Sequence, residues 1–250
     1  MNTFNFAGLQ FANWSVPEAV QQLTKFMLAK QKKIVFTANA DHITQLQKNE
    51  KFKFAYDKAD IITADGMPIV WASRLIGPPL KARVTGADLF PLLCEQCALN
   101  NLSVFLLGAA PGVAQEAAER LKDKYNGLNV CGVLSPPLGF ENSETEKNKI
   151  IEALQLASPD FIAVAFGAPK QEIWISENAN HFSKGCFMGV GASIDFIAGV
   201  QTRAPAIFQS LNMEWLYRWG CQPRRLTARY LSNFGILFLI FREFRKKSNN

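Results

Sequence analysis

Asp65 stands between a short apolar run and a glycine, in Thr63-Ala64-Asp65-Gly66-Met67-Pro68. A carboxylate at a strand end can act as a general base where it reaches an attacking hydroxyl. The same residue can instead cap the helix that begins at Pro68. Two further segments, Leu107-Gly108-Ala109-Ala110-Pro111-Gly112-Val113 and Phe166-Gly167-Ala168-Pro169-Lys170-Gln171-Glu172, each close an apolar run and open a helical pattern. Glycine there lets a phosphate or ribose approach the backbone, and a helix N-terminus offers unpaired amides with a partial positive charge. The first lacks a full GxGxxG, so a plain tight turn competes with a nucleotide contact, but two such turns on one sheet favour a phosphorylated ligand. A metal reading is poorer. Asp65 has no second carboxylate within two residues, and the two histidines, His42 and His181, are far apart in sequence. Cys94-Glu95-Gln96-Cys97 sits in a helical pattern with no second pair or nearby histidine, so buried thiols are expected.

The elements that must hold these residues follow from periodicity. Ser15-Val16-Pro17-Glu18 reads as a capping box, which predicts a helix to about Lys30. Short apolar runs rich in β-branched and aromatic residues recur at 34–37, 61–63, 102–107, 130–134, 161–166 and 186–190, with amphipathic helical patterns between them, as at 114–124 and 144–156. Strands apolar on both faces that alternate with helices predict an α/β, Rossmann-like fold, a parallel sheet with helices on both faces. In such sheets ligands bind outside the carboxyl ends of the strands, and the strand ends here are small or polar. After Gly199 the strand pattern stops and the rest looks helical. The sequence therefore divides into a catalytic body at 1–199 and a basic helical appendage at 200–250.

Charge placement supports that division. The 250 residues carry a formal net charge of +6, yet from Gln201 onward nine basic residues stand against Glu214 and Glu243, leaving 18 basic and 19 acidic residues before it. A near-neutral body with a basic arm points to phosphate, nucleic acid or an anionic membrane. A hydrophobic share of 48% and a charged share of 19% exclude disorder, and five scattered cysteines argue against a disulfide framework. No basic segment followed by an apolar run opens the chain, so a cytoplasmic location is expected. The longest uncharged run near the tail, 230–241, has twelve residues, short of the roughly 20 that span a bilayer. Its helical spacing of Leu226, Tyr230, Leu231, Phe234, Leu237, Phe238 and Phe241 fits either docking on the body or lying in a membrane interface.

Taken together, Thr37-Ala38-Asn39-Ala40-Asp41-His42, Ala64-Asp65-Gly66-Met67-Pro68, Arg83-Val84-Thr85-Gly86-Ala87-Asp88, the two glycine turns, and Gly189-Val190-Gly191-Ala192-Ser193-Ile194-Asp195-Phe196 resemble the WecG/TagA/CpsF family of bacterial glycosyltransferases. The likeness runs on through Arg203-Ala204-Pro205 and Glu214-Trp215-Leu216-Tyr217-Arg218 to Arg225 and Arg229, covering nearly the whole chain.

The resemblance implies an inverting transferase that moves an N-acetylmannosamine-type sugar from a UDP donor to polyprenyl-diphosphate-linked N-acetylglucosamine, in cell-surface polysaccharide synthesis at the inner membrane face. Asp65 would be the base, with Thr37 and Gln171 orienting a sugar at matching strand ends. Asn39, Arg83, Gly108, Ala109, Gly167, Gly191 and Asp195 would line the substrate site, Asp195 on ribose hydroxyls. Arg218, Arg225 and Arg229 of the appendage would meet the diphosphate, with Arg224 a competitor of Arg225. No cofactor or metal and no nucleic acid is expected; a peripheral contact with anionic membrane is, and a homo-oligomer is compatible. The donor stays open, since relatives use N-acetylmannosamine, its uronic acid or glucose. A soluble Rossmann-type nucleotide-dependent enzyme would leave the basic aromatic tail idle, and a non-catalytic membrane adaptor would leave the polar strand ends idle.

Overall fold

The computed structural model describes residues 3–210, 213–221, 223, 224, 227 and 235–248, with backbone only at 206, 210, 218 and 246–248. A β-hairpin comes first, β1 (Thr3–Phe6) and β2 (Leu9–Ala12), paired antiparallel through a turn at Ala7 and Gly8, both with positive φ. This hairpin precedes the first element expected from the sequence. Its alternation buries Phe4, Phe6, Leu9 and Phe11 on one side, the pattern of a half-buried strand pair.

The chain continues through α1 (Val16–Leu28), β3 (Lys32–Ala38), α2 (Ala40–Leu46), α3 (Glu50–Asp57), β4 (Ile61–Ala64), α4 (Met67–Ile76), α5 (Gly86–Leu99), β5 (Ser103–Gly108), α6 (Val113–Lys124) and β6 (Asn129–Leu134). It then forms α7 (Glu144–Ala157), β7 (Phe161–Ala165), α8 (Lys170–Asn178), β8 (Gly185–Gly189), α9 (Ser193–Ala198), α10 (Ala206–Ser210), α11 (Glu214–Cys221) and α12 (Gly235–Ser248). All six expected strands are present, and α1 starts at the expected box. There the Glu18 carboxylate accepts from both the backbone N–H and the hydroxyl of Ser15, at 2.8 and 2.9 Å.

Strands β3 to β8 form one parallel sheet in the order β4-β3-β8-β7-β5-β6. Because side chains alternate across a strand, each strand feeds two cores. Phe36, Phe105, Leu107, Ile162, Val164 and Phe187 pack with α2, α3, α4, α7, α8 and the β1–β2 hairpin. Val35, Val104, Leu106, Ala163 and Met188 pack on the opposite face with α1, α5, α6 and α9. Cys94 and Cys97 of α5 are buried in that second core, and burial pushes both thiols up, as expected of inert packing residues.

Beyond Gly199 the described residues return to the body. Arg203 bonds Asp88 at 2.5 Å and Glu214 at 3.0 Å, and α12 docks against α4 and α2 with Ile236 and Leu239 buried. The outer side of α12 exposes Leu237, Phe238, Phe241 and Phe244 beside Arg242 and Arg245. Among the described residues no helix is long and apolar enough to cross a membrane.

Candidate active site

Five consecutive strands, in the spatial order β4, β3, β8, β7 and β5, carry the sequence-predicted residues at their carboxyl ends. Strands lie about 4.8 Å apart, so this row extends about 19 Å from Asp65 to Gly108. Residues far apart in sequence thus share one edge, with the Asp65 end and the glycine-turn end separated by the breadth of an extended ligand.

Asp65 leaves β4 with its N–H on the Ala38 carbonyl at 2.8 Å. Gly66, not Asp65, is the N-cap of α4, so the capping role falls to a residue without a side chain. Next to it, at the end of β3, Asn39 caps α2: its Oδ1 accepts from the amides of Asp41 and His42 at 3.0 and 3.1 Å. The carbonyl end of the Asn39 side chain is therefore committed to the helix. Thr37 is buried one turn of strand earlier, and a Cβ on Gly86 would lie 3.5 Å from its hydroxyl. The start of α5 thus closes over Thr37.

On the other side of β8, Gln171 occupies the first turn of α8, after Gly167 at φ +75. Its side chain folds back to the strand end. Oε1 accepts from the Gly191 N–H at 3.1 Å, and Nε2 donates to Glu172 Oε1 at 2.8 Å. Glu172 is buried, and burial pushes its carboxyl up to about 7 against the opposing effect of the Gln171 hydrogen bond. Tyr56 of α3, bonded to His42 at 2.7 Å, has its phenol raised by burial first and then by the carboxylates of Glu172 and Asp65. One buried ring therefore senses both carboxylates.

At the far end, Gly108 adopts φ +107, and a Cβ there would come within 2.6 Å of the Ala165 carbonyl oxygen. Only glycine fits this close strand approach. Ala109, also at positive φ, donates its N–H to the same carbonyl at 3.0 Å. Asp195, in the first turn of α9 after Gly191, accepts from Gln201 at 3.1 Å, and burial pushes its carboxyl up.

Arg83 does not stand free at the crevice. Its guanidinium pairs with Glu214 at 2.8 Å, and Glu214 also holds Arg203. For Arg203, burial disfavours the charge, but Asp88 and Glu214 outweigh it and hold the guanidinium charged. Of the appendage arginines, Arg218 lies on α11 with only its backbone described, and Arg225 and Arg229 fall outside the described residues. Sequence reasoning gave no role to Glu172, Arg203 or Glu214. All three stand inside the quoted motifs, but their burial and pairing across up to 131 residues carry no local signal. Among the described residues no three His, Cys, Asp or Glu side chains are grouped to hold a metal ion.

Comparison with known proteins places this geometry. The chain is 32% identical over 213 residues to proteins of Staphylococcus aureus strains MRSA252, NCTC 8325 / PS 47 and COL, across 84% of this chain and 82% of each relative. Each is named N-acetylglucosaminyldiphosphoundecaprenol N-acetyl-beta-D-mannosaminyltransferase. The family model for the glycosyl transferase WecG/TagA/CpsF family matches residues 4–250. With a match of that length over a parallel sheet whose strand ends gather the family-like motifs, the chain belongs to the WecG/TagA/CpsF family of glycosyltransferases.

Proposed function

We propose that this protein transfers N-acetylmannosamine from a UDP donor to N-acetylglucosamine carried on a polyprenyl diphosphate, with inversion at the anomeric carbon. The observation that carries the reading is the meeting of Thr37, Asp65 and Gln171 on the ends of β3, β4 and the β7–α8 turn, beside two glycine turns that suit a diphosphate. The relatives' names supply the donor sugar and the lipid acceptor.

In this reading the nucleotide lies toward Gly108, Gly167 and Gly191, and the sugar to be transferred lies toward Asp65. The acceptor hydroxyl attacks the anomeric carbon from the face opposite UDP. The new glycosidic bond forms as the bond to the UDP oxygen breaks, and Asp65 takes the hydroxyl proton. Thr37 and the Gln171 amide orient the sugars. Charge on departing UDP is met by the N-termini of α6 and α8 and by arginines of the appendage, Arg218, Arg225 and Arg229. Arg83 contributes from its pair with Glu214. The reaction is read as metal-independent, and persistence of turnover in chelator tests that.

The acceptor is lipid-linked, so the enzyme must meet a bilayer. The outward face of α12, with exposed Phe238, Phe241 and Phe244 and the cations Arg242 and Arg245, suits the interface of an anionic membrane, and Trp71 and Leu75 of α4 are exposed on the neighbouring helix. We place the protein peripherally on the cytoplasmic face. Incubation with UDP-N-acetylmannosamine and a short-chain N-acetylglucosaminyl diphospholipid, read by mass spectrometry, tests the proposal. The expected product is heavier by one N-acetylhexosamine residue, with UDP released; transfer from UDP-glucose alone would reject the donor, and no transfer from any UDP-sugar would reject the reaction.

A further inference from the structure

We infer that Glu172 is a positioning residue for the transfer reaction: its buried carboxylate fixes the orientation of the Gln171 side-chain amide, so that the second amide hydrogen is presented to a substrate oxygen. This rests on the reading that Gln171 meets substrate.

Three constraints converge on this one amide. The Gly191 N–H donates to its oxygen, Glu172 Oε1 accepts from its nitrogen, and the bare Cα of Gly189 makes room for it, since a Cβ there would lie 2.7 Å from Nε2. Turning the amide over would set its N–H against the Gly191 N–H whatever the charge on Glu172, and its oxygen against a carboxylate oxygen when Glu172 is ionised, so the present orientation alone satisfies both ends. An amide nitrogen carries two hydrogens, and Glu172 takes one.

The carboxylate does not serve as a cap of α8. Glutamate at the third position of a helix commonly reaches back to the N-cap amide, but the N-cap of α8 is Pro169, which has no N–H. Glu172 Oε2 has no hydrogen-bond partner among the described residues, and a carboxylate buried with one oxygen unpartnered costs stability. A position selected for packing alone would carry leucine or methionine. What the carboxylate does in return is hold Gln171.

The test is a kinetic cycle on the full chain with UDP-N-acetylmannosamine and the short-chain acceptor, with UDP binding measured alongside. Glu172→Met keeps the length and removes the acceptor; kcat is expected to fall about 10- to 100-fold, the scale of a misplaced catalytic contact, with UDP affinity nearly unchanged. Glu172→Gln, whose carbonyl oxygen can still accept, should restore most of kcat. In a Gln171→Ala background Glu172→Met should cost nothing further, because it acts through an amide no longer present. Should methionine pack poorly, Glu172→Leu serves the same cycle. Full kcat in Glu172→Met with a damaged Gln171→Ala, or additive losses in the double variant, would overturn the positioning role. Full kcat in Gln171→Ala would instead sink the underlying reading of Gln171, and this inference with it.

Discussion

Gly189→Ala introduces a single methyl group where the structure leaves no room for one. The new carbon would lie 2.7 Å from Gln171 Nε2, 3.1 Å from Cδ and 3.3 Å from Cγ. Comfortable contact begins near about 3.5 Å, so the amide must withdraw by about 0.8 Å. The obstacle is the end of a flexible side chain rather than backbone, so β8 itself need not move. Withdrawal stretches the hydrogen bonds to Glu172 and Gly191, now 2.8 and 3.1 Å, beyond useful length. Two bonds at about 1 kcal/mol each are lost, and the reduced freedom of alanine in the unfolded chain returns about 0.4–1 kcal/mol. The expected loss of stability is therefore about 1–2 kcal/mol. Turnover should fall further in proportion, about 10- to 100-fold, because the displaced group is one that orients substrate. Denaturant unfolding and single-substrate kinetics on the same preparations separate the two. In a Gln171→Ala background the new methyl group meets no amide, so Gly189→Ala should cost no further stability or turnover. Native turnover in folded Gly189→Ala would refute the reasoning, since the amide could then leave its place without consequence.

Asp65→Asn should leave UDP affinity nearly intact by calorimetry and cut turnover by roughly 10² to 10⁴, the scale of a lost general base; near-normal turnover in the folded variant would move the base elsewhere. Glu214→Ala strips the carboxylate shared by Arg83 and Arg203, which removes the ion pair of Arg83 and leaves Arg203 with Asp88, and should cost about 1.5–3 kcal/mol; protease cleavage near 200–213 should quicken, and unchanged cleavage would count against Glu214 as a tether of this segment to the body. Glu172, with its carboxyl raised from 4.5 to about 7 by burial, binds its proton more tightly folded than unfolded. Its contribution to stability is thus present below about pH 4.5 and is lost as pH rises through about 7, by on the order of 3 kcal/mol. Glu172→Gln should therefore gain on the parent protein between pH 5 and 8 in denaturant titrations; parallel curves would place the titration elsewhere. Chains ending before Tyr230 should lose co-sedimentation with anionic vesicles, and salt should weaken but not abolish binding of the full chain; equal binding by both would remove α12 from the membrane contact.

The local chemistry of this protein was legible residue by residue. Runs such as Ile34-Val35-Phe36 and Phe161-Ile162-Ala163 are apolar on both faces, and a strand with that pattern must be covered twice, which already demands a parallel sheet between helices. Glycines 108, 167 and 191 stand where the chain leaves a strand, and all three adopt positive φ. Ser15 with Glu18 announced α1 because a capping box closes within four residues. The β1–β2 hairpin is equally local, since its alternation of buried and exposed residues is in the sequence, but its four-residue strands give only a short pattern.

What only the tertiary structure decided is which strand lies beside which. The order β4-β3-β8-β7-β5-β6 sets Asp65, Thr37 and Gln171 on one edge, and no period within the chain encodes that order, because parallel neighbours are joined through crossovers rather than turns. The same holds for the fates of individual side chains. Asn39 gives its carbonyl to α2, Glu172 faces Gln171 instead of a helix cap, Arg83 is tied to Glu214 from 131 residues away, and α12 splits its apolar residues between a buried side and an exposed one. Each of these depends on burial and on a partner brought in from elsewhere. Sequence reports residue type and spacing, while the charge state, orientation and availability of a polar group are set by whatever the fold packs against it.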